Sequence, residues 1–279
     1  MILKIAMIIN SSKENALPIA KESIDILSKC GAEILLAEGF ENQFQNVQMI
    51  NEEKLYSIAD VMVVIGGDGT IIHTAKKAAE FSKPVLGINA GRVGYLAGLE
   101  GNDLGKLKNL LTKNYRIKSR MLLSVKVGDK EYFSLNDAVI SKGPLSRMID
   151  ISVKLHGECI SYRADGLISA TPIGSTAYSL SAGGPIVDPD LDSIILTPIC
   201  PQSLYARPIL IAPNEEIIIS AVPPEGTGVY LTIDGEQVCP VLPKQTISVK
   251  RASNMRVGFI ELQEGVFLNA LADKFNFLK

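Results

Sequence analysis

Val61-Met62-Val63-Val64-Ile65-Gly66-Gly67-Asp68-Gly69-Thr70-Ile71-Ile72-His73-Thr74-Ala75-Lys76-Lys77-Ala78-Ala79 is the stretch whose reading decides the fold. Its first five residues are apolar and mostly β-branched, which reads as a buried strand. Its last nine read as a helix. Between them stands a turn with three glycines. Glycine lets backbone approach a ligand closely, and a helix start offers unpaired N–H donors to anions. A lone carboxylate, Asp68, sits in that turn. A phosphate cradle has no use for a carboxylate unless it holds a metal or takes a proton, so the turn points to phosphoryl chemistry.

Outward from this stretch, the first ~115 residues alternate strand and helix patterns. Ile2–Ile9, Glu33–Ala37 and Pro84–Asn89 read as further strands, and Glu14–Cys30 as a helix stopped by Gly31. Another helical pattern lies at Asp103–Leu111. Such alternation predicts a parallel sheet covered by helices, with ligands outside the carboxyl ends of its strands. Gly66–Thr70 follows one such end, and Asn89-Ala90-Gly91-Arg92-Val93-Gly94-Tyr95 another.

From about Tyr115 strand patterns dominate: Arg116–Val127, Glu131–Ser141, Ile149–Leu155, Glu158–Arg163, Ile194–Thr197, Glu216–Ala221, Val229–Ile233 and Thr246–Lys250. One helical interruption is expected around Gly174–Ala182. The fold class that follows is an α/β N-terminal domain with a parallel sheet (1–115) and a C-terminal β-rich, sandwich-like domain (116–251). The tail, 252–279, is expected to pack back on the first domain, its Gly265–Lys279 helix turning Leu268, Leu271 and Phe275 inward.

The chain has 279 residues and a net charge of −2. The overall charge does not attract nucleic acid, so local basic residues and backbone amides must hold any anionic ligand. No apolar run approaches the roughly 18–20 residues that span a membrane. The start, Met1-Ile2-Leu3-Lys4-Ile5, lacks a secretory pattern and reads as a strand. Four scattered cysteines without a CxxC pair argue against structural zinc, leave no metal-ligating residue to name, and suit a cytoplasmic chain with reduced thiols.

Four more stretches carry chemistry, and each alone also has a plain structural reading. Asn136-Asp137, within Ser134–Ala138, offers the donors and acceptors that hydroxyls and a base edge need, or is a polar kink in a strand. Arg163 and Asp165 are alternate strand residues able to face one cleft, or a surface ion pair. Thr171–Ser181 gathers hydroxyls, a glycine and Tyr178 beside a helix start, or is a capped helix. Thr232-Ile233-Asp234-Gly235-Glu236 is by itself a hairpin turn. His73 lies five residues after Asp68, in the first helical turn and facing the same loop; a solvated side chain is its plainer reading. No GxxxxGK[ST] loop is present, which excludes a P-loop kinase.

Together, Gly66–Thr70, Asn136-Asp137, Thr171–Tyr178 with Ser179–Pro185, and Asp234-Gly235 resemble NAD kinases in order and spacing, over about residues 60–240. The first motif alone is shared with diacylglycerol kinases, sphingosine kinases and phosphofructokinases; the set of four is far more specific. The resemblance implies phosphorylation of the adenosine-ribose 2′-hydroxyl of NAD by ATP, or by polyphosphate, to give NADP. It implies Asp68 as proton acceptor and Mg²⁺ or another divalent cation on the ATP phosphates. Gly66, Gly67, Gly69 and Thr70 would hold phosphate. Asp68, Gly69, His73, Asn136, Asp137, Arg147, Arg163, Asp165, Thr176, Ala177, Tyr178, Ser179, Leu180 and Ser181 would line the NAD site. It further implies a homodimer or homotetramer, with some of these contacts crossing a subunit boundary.

Departures from the family are few. Asp137 stands where many members have Glu, Ile173 replaces a polar residue, and Glu236 stands where Gln is common. A lipid kinase would share the glycine–aspartate turn but leaves Asn136-Asp137 and Thr171–Tyr178 unexplained. A nucleotide sensor without turnover would have no need of an intact Asp68.

Overall fold

The computed structural model describes residues 2–41, 43–91, 94–144, 147–225 and 228–275. The chain divides into two units, Met1–Ser119 with Arg256–Lys279, and Arg120–Met255.

In the first unit the strands are β1 (Lys4–Ile9), β2 (Glu33–Ala37), β3 (Val47–Ile50), β4 (Val61–Gly66), β5 (Val85–Asn89) and β6 (Leu99–Glu100). Helices α1 (Ala16–Lys29), α2 (Glu52–Ile58), α3 (Asp68–Glu80) and α4 (Lys108–Thr112) connect or follow them. All six residues of β4 are buried: β1 and β5 flank it in parallel within the sheet, and α1 and α3 pack against it. A strand covered on both faces has no polar side to show, hence the unbroken apolar run. The sheet continues through β1 to β2 and then β3, all parallel. α1 buries Ala16, Ala20, Ile24 and Leu27, one face at helical spacing. It ends where Gly31 takes a φ of +90° and donates to the Ser28 carbonyl. The core joins these residues to Ile5, Val63, Ile65, Leu86 and Ile88.

The second unit holds most of β7 (Arg116–Val127), then β8 (Lys130–Ser134), β9 (Asp137–Lys142), β10 (Ile149–Leu155), β11 (Glu158–Ala164) and β12 (Gly166–Ala170). α5 (Tyr178–Ser181) precedes β13 (Ile194–Ile199), β14 (Ile209–Ile211), β15 (Ile217–Val222), β16 (Val229–Ile233), β17 (Glu236–Val241) and β18 (Thr246–Glu261). One antiparallel sheet has the order β14-β13-β12-β9-β16-β17. Facing it, β11, β10, β15 and the start of β18 pair antiparallel. Alternate residues of both layers meet in one core: Ile149, Ile151, Ile217 and Ile219 against Leu167, Leu196 and Leu231. This is the sandwich the sequence predicts.

Several expected elements change. The Glu131–Ser141 strand is two strands, broken at Leu135-Asn136. The Thr246–Lys250 strand runs on to Glu261 and carries the chain back into the first unit. β3, β6, β12, β14 and β17 have no counterpart among the expected strands. β3 mixes half-buried and exposed residues at an edge, so it lacks alternation, whereas β12 contains three small residues, Gly166, Ser169 and Ala170, among its five. The tail helix, α6 (Val266–Phe275), belongs to the first unit, but Leu268 is 68% exposed and Phe275 38%, while Ala270 is buried. Of the three residues expected to turn inward, Leu271 alone is half-buried, and Ala270 takes the buried position. Residues 276–279 of the expected helix lie outside the described residues.

Candidate active site

In the first unit, β4 delivers the chain to Gly66 and α3 begins at Asp68 with Gly67 as its N-cap. The Ile71 N–H donates to the Gly67 carbonyl at 3.1 Å, which leaves the amides of Asp68, Gly69 and Thr70 without intrahelical acceptors. At Gly67 and Gly69 an added Cβ would meet nothing within 4 Å, so this face of the turn is open. Gly66 is needed for the opposite reason. A Cβ there would stand 2.9 Å from the Thr70 side chain, which in turn accepts from Asn10 Nδ2 at 2.8 Å. Asn10, just past β1, thus ties the start of α3 to the neighbouring strand; nothing in the sequence around it announces that role.

Asp68 is half-buried. Its Oδ2 accepts from the Tyr95 N–H at 3.0 Å and its Oδ1 from the Leu96 N–H at 3.3 Å. Gly94 makes the approach possible, since a Cβ there would lie 2.2 Å from Asp68 Oδ1. The loop after β5 therefore holds the carboxylate, a contact between the two strand ends that the sequence reading did not name. Burial, and after it the Asp68 charge, push the Tyr95 phenol above its ordinary range. Arg92 and Val93 of this loop lie outside the described residues. His73 is exposed and sits in the second turn of α3, not the first. At about 100° per residue it lies about 140° around the helix from Asp68, away from the loop the sequence reading assigned to it.

In the second unit, three of the predicted stretches converge. Asn136, Asp137, Ala177 and Tyr178 line a cavity of about 380 Å³ together with Thr232 and Asp234. The cause of the strand break at Leu135-Asn136 is Asp234. Its Oδ1 accepts from Ser134 Oγ (2.7 Å), Asn136 N (2.8 Å) and Asp137 N (3.2 Å), and its Oδ2 from Leu135 N (3.1 Å). Asp234 and Gly235 occupy positive φ (49° and 87°), as a tight hairpin turn demands. The Asp-Gly turn was legible; the four-donor grip of its carboxylate was not. From the other side, Thr171 Oγ1 donates to the Leu135 carbonyl at 2.5 Å and Thr171 N to the Asn136 carbonyl at 2.8 Å. A Cβ on Gly174 would fall 2.0 Å from the Asn136 carbonyl oxygen, so glycine is required there.

Asp137 is 4% exposed. Burial first, and the Asp234 charge second, push its carboxyl up to about 7. It can therefore donate or accept near neutrality.

The expected helix at Gly174–Ala182 forms as a 3₁₀ turn (Ile173–Thr176) and then α5, with Ala177 between them outside helical geometry. That break sends Tyr178 outward, 47% exposed, and Ser179 inward. Ser179 is fully buried and shares a 2.8 Å hydrogen bond with Thr197 Oγ1, so its hydroxyl faces the interior. Thr176 Oγ1 donates to the Ile173 carbonyl. Leu180 is half-buried and Ser181 exposed.

Arg163 and Asp165 do not face one cleft. β11 ends at Ala164, and the chain crosses at Asp165 from one sheet layer to the other, so the alternation stops. Arg163 lines a separate cavity of about 570 Å³ with Tyr162 and Gln202. Asp165 pairs with Lys142 Nζ at 2.8 Å, a partner the sequence reading did not name. Arg147 is exposed just before β10.

Comparison with known proteins bears on these features. Residues 5–115 match the ATP-NAD kinase N-terminal domain and residues 135–262 the ATP-NAD kinase C-terminal domain. The NAD kinase of Symbiobacterium thermophilum is 39% identical over 258 residues, covering 89% of this chain and 90% of its relative. That of Natranaerobius thermophilus is 34% identical over 278 residues, covering 97% and 96%. Among solved structures, yeast NADH kinase complexed with NADH shares the fold at a TM-score of 0.89 and 22% identity, covering all of this chain and 89% of the other. An NAD kinase from Archaeoglobus fulgidus in complex with ATP gives a TM-score of 0.73 at 25% identity, covering 98% of both chains.

Proposed function

The chain belongs to the ATP-NAD kinase family, and from that premise we propose how its residues divide the work of phosphorylating NAD with ATP. Asp68 accepts the proton of the adenosine-ribose 2′-hydroxyl as the phosphoryl group arrives. The observation that carries this role is the grip of the Tyr95 and Leu96 amides on a half-buried carboxylate at the open start of α3. Two donors hold the group in one orientation, and positioning supplies much of the barrier lowering in phosphoryl transfer. The amides of Gly66–Thr70 hold phosphate oxygens.

NAD is bound by the residues of the second unit's 380 Å³ cavity. Asn136 reads a base edge, Asp137 takes sugar hydroxyls, and the Tyr178 ring packs on a base. Ala177, Thr176, Leu180 and Ser181 shape the rim, and Arg147 binds NAD from its periphery. Ser179 contributes through its bond to Thr197.

Mg²⁺, or another divalent cation, arrives on the ATP phosphates. Among the described residues no three His, Cys, Asp or Glu side chains gather into a cage. With ATP bound, its phosphates and water would hold the cation, and Asp68 is the one carboxylate of the turn able to touch it. When bound, the cation neutralises charge on the transferring phosphoryl oxygens. No helix among the described residues is long and apolar enough to cross a membrane. The protein works as a cytoplasmic homodimer or homotetramer. Leu204 and Tyr205, 85% and 92% exposed, support self-association, and four free cysteines support a reducing compartment.

The test uses purified protein with NAD, ATP and Mg²⁺, reading NADP through a coupled dehydrogenase. Asp68→Asn is expected to keep NAD binding and melting temperature and to lose about 10²–10⁴-fold in turnover. Wild-type turnover in that variant would remove the proton-acceptor role.

A further inference from the structure

α6 reaches the loop that holds Asp68. The Lys274 ammonium lies 3.7 Å from the centroid of the Tyr95 ring. The peptide N–H of that same Tyr95 donates to Asp68 Oδ2. The three residues form one chain of contacts within the first unit, from a helix near the end of the sequence to the carboxylate at the start of α3.

The packing between α6 and this loop leaves a cavity. Ala270 is the one fully buried residue of α6, with Val266, Phe267, Leu271 and Ala272 half-buried, and a methyl supplies less apolar burial than a larger side chain would. A cavity of about 440 Å³ is lined by Gly94, Ala97 and Gly98 of the loop and by Asn269, Ala270 and Asp273 of α6. A loop with open space on one side needs something else to fix it. A cation seated on an aromatic face is directional and resists displacement of the ring. Tyr95 is half-buried, which strengthens that attraction relative to a fully solvated pair.

We infer that Lys274 is a positioning residue for Asp68, acting through the Tyr95 ring and peptide. Lys274 holds the ring, the ring fixes the Tyr95 peptide, and that peptide N–H aims the carboxylate. The inference rests on the reading of Asp68 as proton acceptor. A side chain that merely tacked down the tail would leave turnover alone when removed.

The experiment is steady-state kinetics and thermal melting on Lys274→Met, Lys274→Arg, Asp68→Asn and the double variant Asp68→Asn/Lys274→Met. Lys274→Met keeps the stem and removes the charge. Its kcat should fall by about three- to tenfold, with KM for NAD and ATP and the melting temperature unchanged. Lys274→Arg, whose guanidinium also stacks on a ring, should recover most of the loss. In the Asp68→Asn background, Lys274→Met should add nothing to the residual rate, because both act on one group. A wild-type kcat in Lys274→Met, an equal defect in Lys274→Arg, or a full additional loss in the double variant would each overturn the inference. Near-normal turnover in Asp68→Asn alone would instead overturn the underlying role of Asp68. The two failures are thus read from different proteins.

Discussion

Asp137→Asn should change how stability depends on pH. The Asp137 carboxyl, ordinarily near 3.8, is pushed up to about 7, by burial first and by Asp234 second. In the unfolded chain it titrates near its ordinary value. Between those two pH values the folded protein keeps a proton that the unfolded chain has lost. The unfolded state then binds fewer protons, so stability falls as pH rises through this window. Below the lower value the group makes no difference between the two states. Above about pH 7 it is a buried, ionised carboxylate beside another carboxylate. At about 1.4 kcal/mol per tenfold change, the accumulated cost approaches about 4 kcal/mol. Asparagine has nearly the same shape and no charge. The advantage of Asp137→Asn over wild type should therefore grow by up to about 4 kcal/mol between pH 4 and pH 8. Urea unfolding followed by circular dichroism, at unit steps of pH, measures it. Parallel pH profiles for the two proteins would refute the argument. The same physics touches function: sugar hydroxyls donating to Asp137 favour its charged form. NAD binding near pH 7 should then release a proton from the wild type and none from Asp137→Asn. Calorimetry in buffers of different ionisation enthalpy reads that number directly.

Other substitutions probe the same arrangement. Asp234→Asn puts an NH₂ against at least one of the four donors its carboxylate now accepts, so the second unit should lose about 2–4 kcal/mol by thermal or urea unfolding. The same change removes a neighbouring charge, so the Asp137 carboxyl should move down from about 7, seen by NMR titration; an unmoved Asp137 would show that Asp234 does not act on it. Gly94→Ala places a methyl 2.2 Å from Asp68 Oδ1; kcat should drop at least about tenfold with far-UV circular dichroism unchanged, and normal kcat would mean that the carboxylate's present orientation is unimportant. Tyr178→Ala should weaken NAD binding by about 0.5–1.5 kcal/mol in calorimetric titration with little effect on melting, since the ring is 47% exposed; equal affinity would take the ring out of the site.

Several parts of this protein were legible in the linear order of residues because their causes are local. Val61–Ile65 is apolar throughout, and a strand buried on both faces cannot be otherwise. The glycines and aspartate at 66–69 sit where a strand must turn into a helix within a few residues, so their chemistry and position coincide in the chain. The motif set at 66–70, 136–137, 171–185 and 234–235 could be matched to a family because each motif is short and self-contained.

What the tertiary structure alone decided involves partners far apart in sequence. Asp234 reads as a turn residue until the fold brings it to amides about a hundred positions earlier, where it breaks a strand and raises a neighbour's pKa. Strand alternation promised a shared cleft for Arg163 and Asp165, and the crossing between sheet layers cancelled it. Ser179 and Tyr178 differ by one residue, yet a break at Ala177 buries one and exposes the other. Propensity and pattern record what a residue does with its near neighbours. Hydrogen-bond partners and burial depend on which distant backbone arrives beside it, and that is set only when the whole chain has closed on its cores.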